Sequence, residues 1–199
     1  RLNWHLALGL GQENYKFHDH EKLAHYANAA ADIEFKFPFG FKELEGIHSR
    51  TDFDLSAHEK FSGRKLQYFD PERNENYVPY VVETSIGLDR MFLALFSNCL
   101  KDEVLEDGSE RTVLSLPPAL APVKAAILPL VKKDGLPEFA EKIFNDLKYD
   151  FNVISEEKDS IGKRYRRQDA IGTPFCITVD HDSLTDGTVT LRERDTMKQ

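Results

Sequence analysis

The segment from Val78 to Phe96 constrains the fold of this 199-residue chain more than any other part of it. Residues 80–84 alternate between apolar and polar positions, which predicts a β-strand. Glu83 and Ser85 are two positions apart, so they would point to the same side of that strand. Gly87 permits a sharp turn, and the residues after it place apolar side chains at helical spacing. The segment therefore predicts a strand that leads directly into a helix with one apolar face.

The polar side chains of this segment suit a small-substrate pocket beside a phosphate site. Glu83 and Ser85 together can receive an ammonium group; the alternative is an acid facing water and a serine that caps the helix. Asp89 and Arg90 lie in the first helical turn, where backbone amides and the helix dipole favour anions. Arg90 can form a fork on a phosphate, or it can be an ordinary surface arginine in an ion pair.

A second candidate site lies in the strand predicted over residues 41–47. Glu43 and Glu45 have the same two-residue spacing, which predicts that both project from one strand face beside Phe41 and Ile47. Two acids on one sheet face can hold a magnesium ion that also binds phosphate oxygens. The alternative is a solvated sheet edge.

Positive charge is concentrated in a helix predicted over residues 160–170, with two further arginines at 192 and 194. The net charge of −8 argues against nonspecific nucleic-acid binding by the whole chain, but a local basic face can still meet phosphates. Tyr165 adds an aromatic ring that can stack on an unpaired base. The alternative is a solvated helix whose cations offset neighbouring acids.

The order of elements predicts two domains. In the first half, alternating strands such as residues 32–37 precede one long apolar-faced helix, which indicates an α+β domain with an antiparallel sheet. A helix is also predicted over residues 21–31. A charged run at 101–111 and a proline-rich stretch at 116–122 indicate a boundary, so the predicted domains are 1–115 and 116–199.

Beyond the boundary, strands alternate with helices, which predicts a small α/β domain with a mixed, largely parallel sheet. Residues 180–187 are predicted as a polar turn before the last strand. The two cysteines, Cys99 and Cys176, lie in apolar surroundings, which indicates buried thiols in a reduced cytoplasmic protein. The sequence has no P-loop, no glycine-rich dinucleotide fingerprint and no histidine spacing typical of zinc sites.

Several segments, taken in chain order, resemble one family of enzymes. They are Phe37-Pro38-Phe39-Gly40, Glu43-Leu44-Glu45-Gly46-Ile47, Arg50–Leu55, Val78–Arg90, Leu120–Pro122, Gly162–Asp169, Gly172–Phe175 and Val189–Met197. This set resembles glycyl-tRNA synthetases of class II, of the bacterial homodimeric, eukaryote-like type. The resemblance implies part of the class II antiparallel sheet with its motif 3 helix, followed by a small α/β anticodon-binding domain. The block at 43–47 favours glycine over proline, histidine or threonine, whose synthetases share this type of anticodon domain.

The resemblance implies a role for each matched position. Glycine would be bound by Glu83, Thr84, Ser85, Ile86 and Gly87. ATP would be bound by Glu43, Leu44, Gly87, Leu88, Asp89 and Arg90. Arg90 and Glu43 would be the catalytic residues, with Glu43 near Mg²⁺. The tRNA would be contacted by Lys163, Arg164, Arg166 and Arg167.

The implied function is ATP-dependent attachment of glycine to its tRNA through glycyl-adenylate. The implied partners are glycine, the anticodon and acceptor ends of tRNA, and a second copy in a homodimer, with ATP and Mg²⁺ and no membrane. We expect the chain to be a C-terminal fragment without motifs 1 and 2, inactive alone, with its last helix truncated. Two positions depart from the family pattern, since proline is common at Thr84 and alanine at His48.

Two alternatives to this function are a non-catalytic tRNA-binding module and a synthetase-derived accessory subunit. The second half of the chain could bind tRNA without any chemistry nearby, which is the first alternative. Retention of Glu83, Ser85 and Arg90 disfavours the second, because a non-catalytic relative has no need of all three.

Overall fold

The structure is a computed structural model that describes all residues from 1 to 199, in two compact units, 1–94 and 95–199. The elements of the first unit are α1 (Leu2–Leu6), a 3-10 turn (Gln12–Asn14), β1 (Tyr15–Asp19), β2 (Ala29–Phe37), β3 (Gly40–Ser49), α2 (Phe53–Ser62), β4 (Tyr68–Asp70), β5 (Glu75–Tyr77) and β6 (Val82–Ile86). Helix α3 (Leu88–Cys99) follows β6 after Gly87 and runs across the division.

The first unit is built on a four-stranded sheet in the order β1-β2-β3-β6, with every neighbouring pair antiparallel. Alternate residues of β2, namely Ile33, Phe35 and Phe37, are buried and form the core face of the sheet. The ring of Tyr15 in β1 meets that of Phe35 edge-on at 5.1 Å. The predicted helix over residues 21–31 is wrong, because residues 29–31 pair with β3 in the sheet ladder.

A β-bulge in β3 changes which side chains face the core. Ile33 pairs with Glu45 and Glu34 pairs with Glu43, so Leu44 is one extra residue in β3. As a result Leu44 and Glu45 are both buried, whereas Glu43 is exposed. The prediction that Glu43 and Glu45 share one strand face is therefore wrong. The period of two holds on each side of the bulge but not across it.

The second unit is an α/β sandwich. Its elements are β7 (Leu100–Val104), β8 (Glu110–Leu114), β9 (Ala125–Pro129), α4 (Leu136–Leu147), β10 (Val153–Ser155), α5 (Ile161–Ile171), β11 (Phe175–Val179), α6 (His181–Asp186) and β12 (Thr190–Glu193). The main sheet has the order β10-β9-β11-β12, with two parallel pairings and an antiparallel one between β11 and β12. This arrangement is compatible with the predicted mixed, largely parallel sheet.

The two faces of this sheet are covered by different helices. Ile127, Val153 and Val179 pack with α4, and Ala126 and Leu128 lie on the other face with Tyr165 and Ile161 of α5. The predicted polar turn at 180–187 is instead the helix α6, whose capping box joins the side chains and backbone amides of Asp180 and Ser183. Both cysteines are free and buried.

The charged run predicted as a boundary region is the β7–β8 hairpin, and it packs on α5. Arg111 of β8 donates to Asp169 of α5 at 3.2 Å, and Arg192 of β12 donates to both oxygens of the same carboxylate at 2.8 and 3.0 Å. All three side chains are buried. The hairpin therefore belongs to the second compact unit, whereas the predicted boundary at 115/116 placed it in the first domain.

The hairpin also approaches the end of α5 closely at Gly172. This residue ends the helix with a φ of 86°, a conformation that side chains rarely adopt. A Cβ at this position would lie 3.1 Å from the carbonyl oxygen of Leu114. Glycine is thus required by both the helix end and the contact with β8.

None of the helices has the length and apolar character that a membrane span requires.

We predict that Asp169→Ala destabilises the second unit strongly. It would leave Arg111 and Arg192 buried without their shared carboxylate, and breaking a buried ion pair costs about 3–5 kcal/mol. Hydrogen exchange of the β8 and β11 amides would measure the loss locally. The control is Asp146→Ala at an exposed position of α4. Equal protection in the two variants would contradict the prediction.

Candidate functional site

The polar face of the first sheet brings together the acid and the hydroxyl predicted in β6. Glu83 pairs with His48 of β3, and Ser85 pairs with Gly46, so these four residues lie on one sheet face. Asp32 of β2 pairs with Gly46 and extends the same row. Asp32, Gly46 and Ser85 thus form a row across three strands, with a carboxylate at one end, the glycine in the middle and a hydroxyl at the other end.

Gly46 makes the middle of this row shallow. A Cβ added to Gly46 would lie 3.1 Å from Cε1 of His48 and 3.6 Å from Oδ1 of Asp32. The imidazole of His48 thus lies over Gly46, and a side chain at position 46 would displace it. Neither Asp32 nor Gly46 was predicted in this row, because strand register cannot be read from spacing within one strand.

Two residues predicted to bind glycine point away from this face. Thr84 pairs with Ile47 and Ile86 pairs with Glu45, which places both side chains on the opposite side from Ser85. Only their backbone atoms can reach a ligand on the polar face. Among the β6 residues predicted to bind glycine, Glu83 and Ser85 are the ones whose side chains lie on this face.

The carboxylate of Glu83 is held by an arginine for which no role in the site was predicted. Nη1 of Arg50 donates to Oε2 of Glu83 at 2.6 Å. The same guanidinium donates to both oxygens of Asp54 in α2, at 2.5 and 3.0 Å, and its centre lies 4.0 Å from the ring centroid of Tyr26. Hydrogen bonds from Arg50 hold the pKa of Asp54 below its ordinary value. The four-residue spacing of Arg50 and Asp54 is the sequence pattern from which their ion pair could have been predicted.

The predicted phosphate site is assembled where α3 begins beside the bulge. Nη1 of Arg90 donates to the backbone oxygen of Glu43 at 2.5 Å and lies 3.6 Å from its carboxylate. Both side chains are about half exposed, at 53% and 54%. Gly87 has no side chain, and its nearest neighbours are the aliphatic atoms of Arg90. Leu88 and Asp89 are exposed in the first turn, whereas the buried Leu44 offers only its backbone.

The residues present provide one carboxylate, not a cage, for a divalent cation. No group of three histidine, cysteine, aspartate or glutamate side chains could hold a metal ion. The bulge directs Glu45 away from Glu43, so the predicted pair of acids does not form. A single exposed carboxylate still fits Mg²⁺, because this ion commonly takes one or two protein carboxylates and fills its other positions with phosphate oxygens and water.

Glu45 has a structural environment instead. Its carboxylate accepts from Arg1, and Nε2 of His5 lies 2.6 Å from Oε2. Burial alone would raise the pKa of Glu45, but the hydrogen bonds from Arg1 and His5 outweigh burial and lower it. The charged form is thus favoured inside the first unit.

The basic helix α5 divides its cations between the interior and the surface. Arg164 is buried, and its Nη atoms donate to the carbonyl oxygens of Pro129, Glu156 and Leu130. Arg167 donates to the carboxylates of Glu156 and Asp159. The prediction that Arg164 contacts tRNA is therefore wrong, because its guanidinium faces the protein interior.

Two cations of α5 remain available to a ligand. Lys163 and Arg166 border a depression of about 340 Å³ that Tyr165 and Arg192 also line. The guanidinium of Arg192 lies 4.7 Å from the ring centroid of Tyr165. Arg192 and Arg194 are buried, so the positive charge predicted for them is used within the fold.

Comparison with known proteins first identifies the class of protein that the chain resembles. Residues 124–199 match the family model of the anticodon binding domain. A Giardia lamblia prolyl-tRNA synthetase in complex with prolyl-adenylate is similar over 98% of this chain and 40% of its own, with a TM-score of 0.57 and 18% identity. The RNA binding domain of a Cryptosporidium parvum threonyl-tRNA synthetase is similar over 87% of this chain and 39% of its own, with a TM-score of 0.61 and 20% identity. The fold is similar to those of these two tRNA synthetase structures, and the second part of the chain matches the anticodon binding domain family.

Sequence similarity then gives the particular relatives. A glycine–tRNA ligase of Chlorobaculum tepidum is 56% identical over 200 residues, which cover all of this chain and 42% of that protein. The Borrelia hermsii enzyme is 53% identical over 204 residues and 46% of its length, and the Bacillus cereus enzyme is 56% identical over 199 residues and 43%. The chain spans less than half of the length of these relatives. The resemblance to glycyl-tRNA synthetases is confirmed.

We predict that Glu45 stabilises the first unit in a pH-dependent manner. Its folded-state pKa is lowered, so its contribution is present above the unfolded pKa of about 4.3 and is lost as the pH falls through the folded value. The difference in urea unfolding free energy between wild type and Glu45→Gln should shrink over that range. The exposed Glu72→Gln is the control. A difference that stays constant from neutral to acid pH would refute this assignment.

Proposed function

We propose that the complete protein carrying this chain attaches glycine to its cognate tRNA through glycyl-adenylate. Residues 1–94 would supply part of the site for glycine and ATP, and residues 95–199 would contact tRNA. The observation that supports this most is the shared sheet face of Glu83, Gly46 and Ser85, with the cation of Arg90 nearby on the following helix. The glycine–tRNA ligase relatives supply the substrate class.

Glycine would be recognised by charge and by size. The carboxylate of Glu83 and the hydroxyl of Ser85 would bind its ammonium group. The shallow floor at Gly46, bordered by His48, would leave little room for a side chain on the substrate. An amino acid with a larger side chain would meet the strand backbone or the imidazole.

ATP would lie where α3 begins. Arg90 would bind phosphate oxygens, with exchange of its present hydrogen bond to the Glu43 backbone for one to the nucleotide. Mg²⁺ would be bound by Glu43 and would neutralise phosphate charge. Such a site accelerates the reaction mainly through positioning and charge, because the glycine carboxylate is itself the nucleophile that attacks the α-phosphate, and pyrophosphate leaves as the bond to the β-phosphate breaks.

The anticodon end of the tRNA would meet α5 at Lys163 and Arg166. The complete protein would also be a homodimer in the cytoplasm, as the family resemblance implies. The buried free thiols are compatible with a reducing compartment. The second candidate function is a non-catalytic tRNA-binding module. The match of residues 124–199 to the anticodon binding domain supports it, because tRNA binding by these residues needs no catalytic site nearby.

We predict that Glu83→Ala abolishes tight binding of a non-hydrolysable glycyl-adenylate analogue. Loss of a charge-assisted hydrogen bond in such a pocket weakens binding by about 10-fold to 100-fold. Isothermal calorimetry on the complete protein would measure it, with Glu72→Ala at an exposed turn as the control. Equal affinity in the two variants would remove Glu83 from the pocket and favour the tRNA-binding module.

We predict that Lys163→Ala and Arg166→Ala each weaken tRNA binding and reduce the slope of log K against log salt by about one. The reason is that each removes one phosphate contact. Filter binding with glycine tRNA would measure the slope. Lys142→Ala, on the exposed side of α4, is the matched control. Unchanged slopes in all three variants would place the tRNA elsewhere.

A further inference from the structure

Residues 60–69, which run from the last turn of α2 into β4, combine positive charge with aromatic rings. The cations are Lys60, Arg64 and Lys65, and the aromatic residues are Phe61, Tyr68 and Phe69. This segment, here called the 60–69 surface, contains no acidic residue, although the whole chain has a net charge of −8. A local patch of positive charge attracts an anionic partner that the rest of the chain repels.

The fold does not use the positive charge of this surface. The ion pairs between residues 50 and 77 join Arg50 and Arg73 to acids, and none involves a cation of the 60–69 surface. Lys60 lies in the last turn of α2, where a cation offsets the helix dipole. Arg64 and Lys65 lie beyond the helix and are exposed. These two cations are therefore available to a ligand.

Arg64 and Lys65 border a depression of about 430 Å³ that one acid also lines. That acid, Glu59, accepts a hydrogen bond from the backbone amide of Leu66 at 2.7 Å, which holds the chain as it leaves the helix. With Lys60, the depression has three cations and one carboxylate, so its net charge is about +2 at neutral pH. A phosphate group is therefore attracted to it, whereas a cationic ligand is repelled.

The aromatic rings of the 60–69 surface are exposed to solvent. Phe61 is 84% exposed, and Tyr68 and Phe69 are each about half exposed. No residue of α2 is buried, so Phe61 contributes to no core. Exposed rings beside unpaired cations are typical of surfaces that bind single-stranded nucleic acid, where bases stack on the rings and phosphates contact the cations.

The position of the surface relative to the candidate glycine site also suits RNA. Helix α2 begins beside that site, because Asp54 in its first turn accepts from Arg50, which also donates to Glu83. From Asp54 to the end of α2 at Ser62 the helix rises by about 12 Å. A few unpaired nucleotides span this length, and the 3′ end of the tRNA must reach the glycine site to receive the glycyl group.

We propose that the 60–69 surface binds the unpaired acceptor end of the tRNA. Its phosphates would contact Arg64 and Lys65, and one base would stack on Phe61. This inference rests on the proposed function, because it takes tRNA as the partner. It is independent of the contact proposed on α5, which lies in the second unit.

The test is filter binding of the complete protein to an RNA hairpin with the acceptor stem and unpaired 3′ end of glycine tRNA but no anticodon. Arg64→Ala/Lys65→Ala should weaken binding by about 10-fold or more. It should also reduce the slope of log K against log salt by about 1.4, because each phosphate contact with a single strand contributes about 0.7. Phe61→Ala should weaken binding by about 10-fold with the slope unchanged, because it removes stacking and no charge. Lys142→Ala/Lys148→Ala, which removes two exposed charges on and beside α4, is the matched control.

Glycine-dependent ATP–pyrophosphate exchange, which needs no tRNA, separates this inference from the proposed function. We expect every variant to keep the wild-type exchange rate, which also shows that the variant folds. If the wild type shows no exchange, the proposed function fails, and the hairpin affinities still decide whether the surface binds RNA. If Arg64→Ala/Lys65→Ala loses exchange, Lys65→Glu replaces it, and its affinity for the hairpin should also fall by about 10-fold.

Three results would overturn the inference while the proposed function stands. The first is equal affinity of the hairpin for Arg64→Ala/Lys65→Ala and for the control. The second is a wild type that shows exchange but does not bind the hairpin. The third is an equal loss of affinity for a blunt hairpin without the unpaired 3′ end, because the surface would then attract RNA through charge alone.

Discussion

The extra residue at Leu44 is the constraint on which both the core and the candidate site of the first unit depend. With regular alternation, Glu43 and Glu45 would lie on the same face of the sheet. Either Glu43 would then be buried in the core or Glu45 would be exposed on the polar face. The bulge places Leu44 and Glu45 in the interior and Glu43 on the polar side, where its backbone oxygen meets Arg90. Bulges are common beside active sites because they redirect one side chain without loss of the sheet.

The second unit contains a buried cluster of charged side chains that connects three of its elements. Asp169 has no exposed surface and lies between Arg111 and Arg192, which come from the hairpin and the last strand. A buried ion pair adds little net stability compared with apolar packing, but its loss on one side is costly. Its effect here is geometric, because a carboxylate on α5 must meet guanidinium groups from two other elements at once.

Much of the fold could be predicted from local pattern. Alternation identified the strand over 32–37, and the apolar stripe after Gly87 identified α3, because both periods are repeated several times. The helix predicted over 21–31 and the turn predicted at 180–187 were wrong for opposite reasons. In the first case sheet pairing overrode local propensity, and in the second a capping box allowed a short helix in a polar segment.

The candidate site was less accessible to sequence than the fold. Glu83, Ser85 and Arg90 were identified by their positions in one continuous motif, which register then placed against Gly46 and His48. The positions of Arg50 and Asp32 at the site were not predicted, because they depend on contacts with strands and helices that are distant in sequence. Arg164 was assigned to the surface because sequence shows charge but not the carbonyl oxygens that an interior arginine can satisfy.

The packing of the β7–β8 hairpin on α5 has a consequence for how this chain can be divided. The proline-rich stretch looks like a natural place to cut, yet a piece that starts there would lose Arg111 and leave Asp169 with Arg192 and, at 4.0 Å, Arg166. The backbone oxygen of Leu114 would also leave the α5 terminus, which would open the surroundings of Gly172 to water. A shorter piece of this chain that keeps these contacts must therefore include the hairpin, even though the match to the family model begins after it.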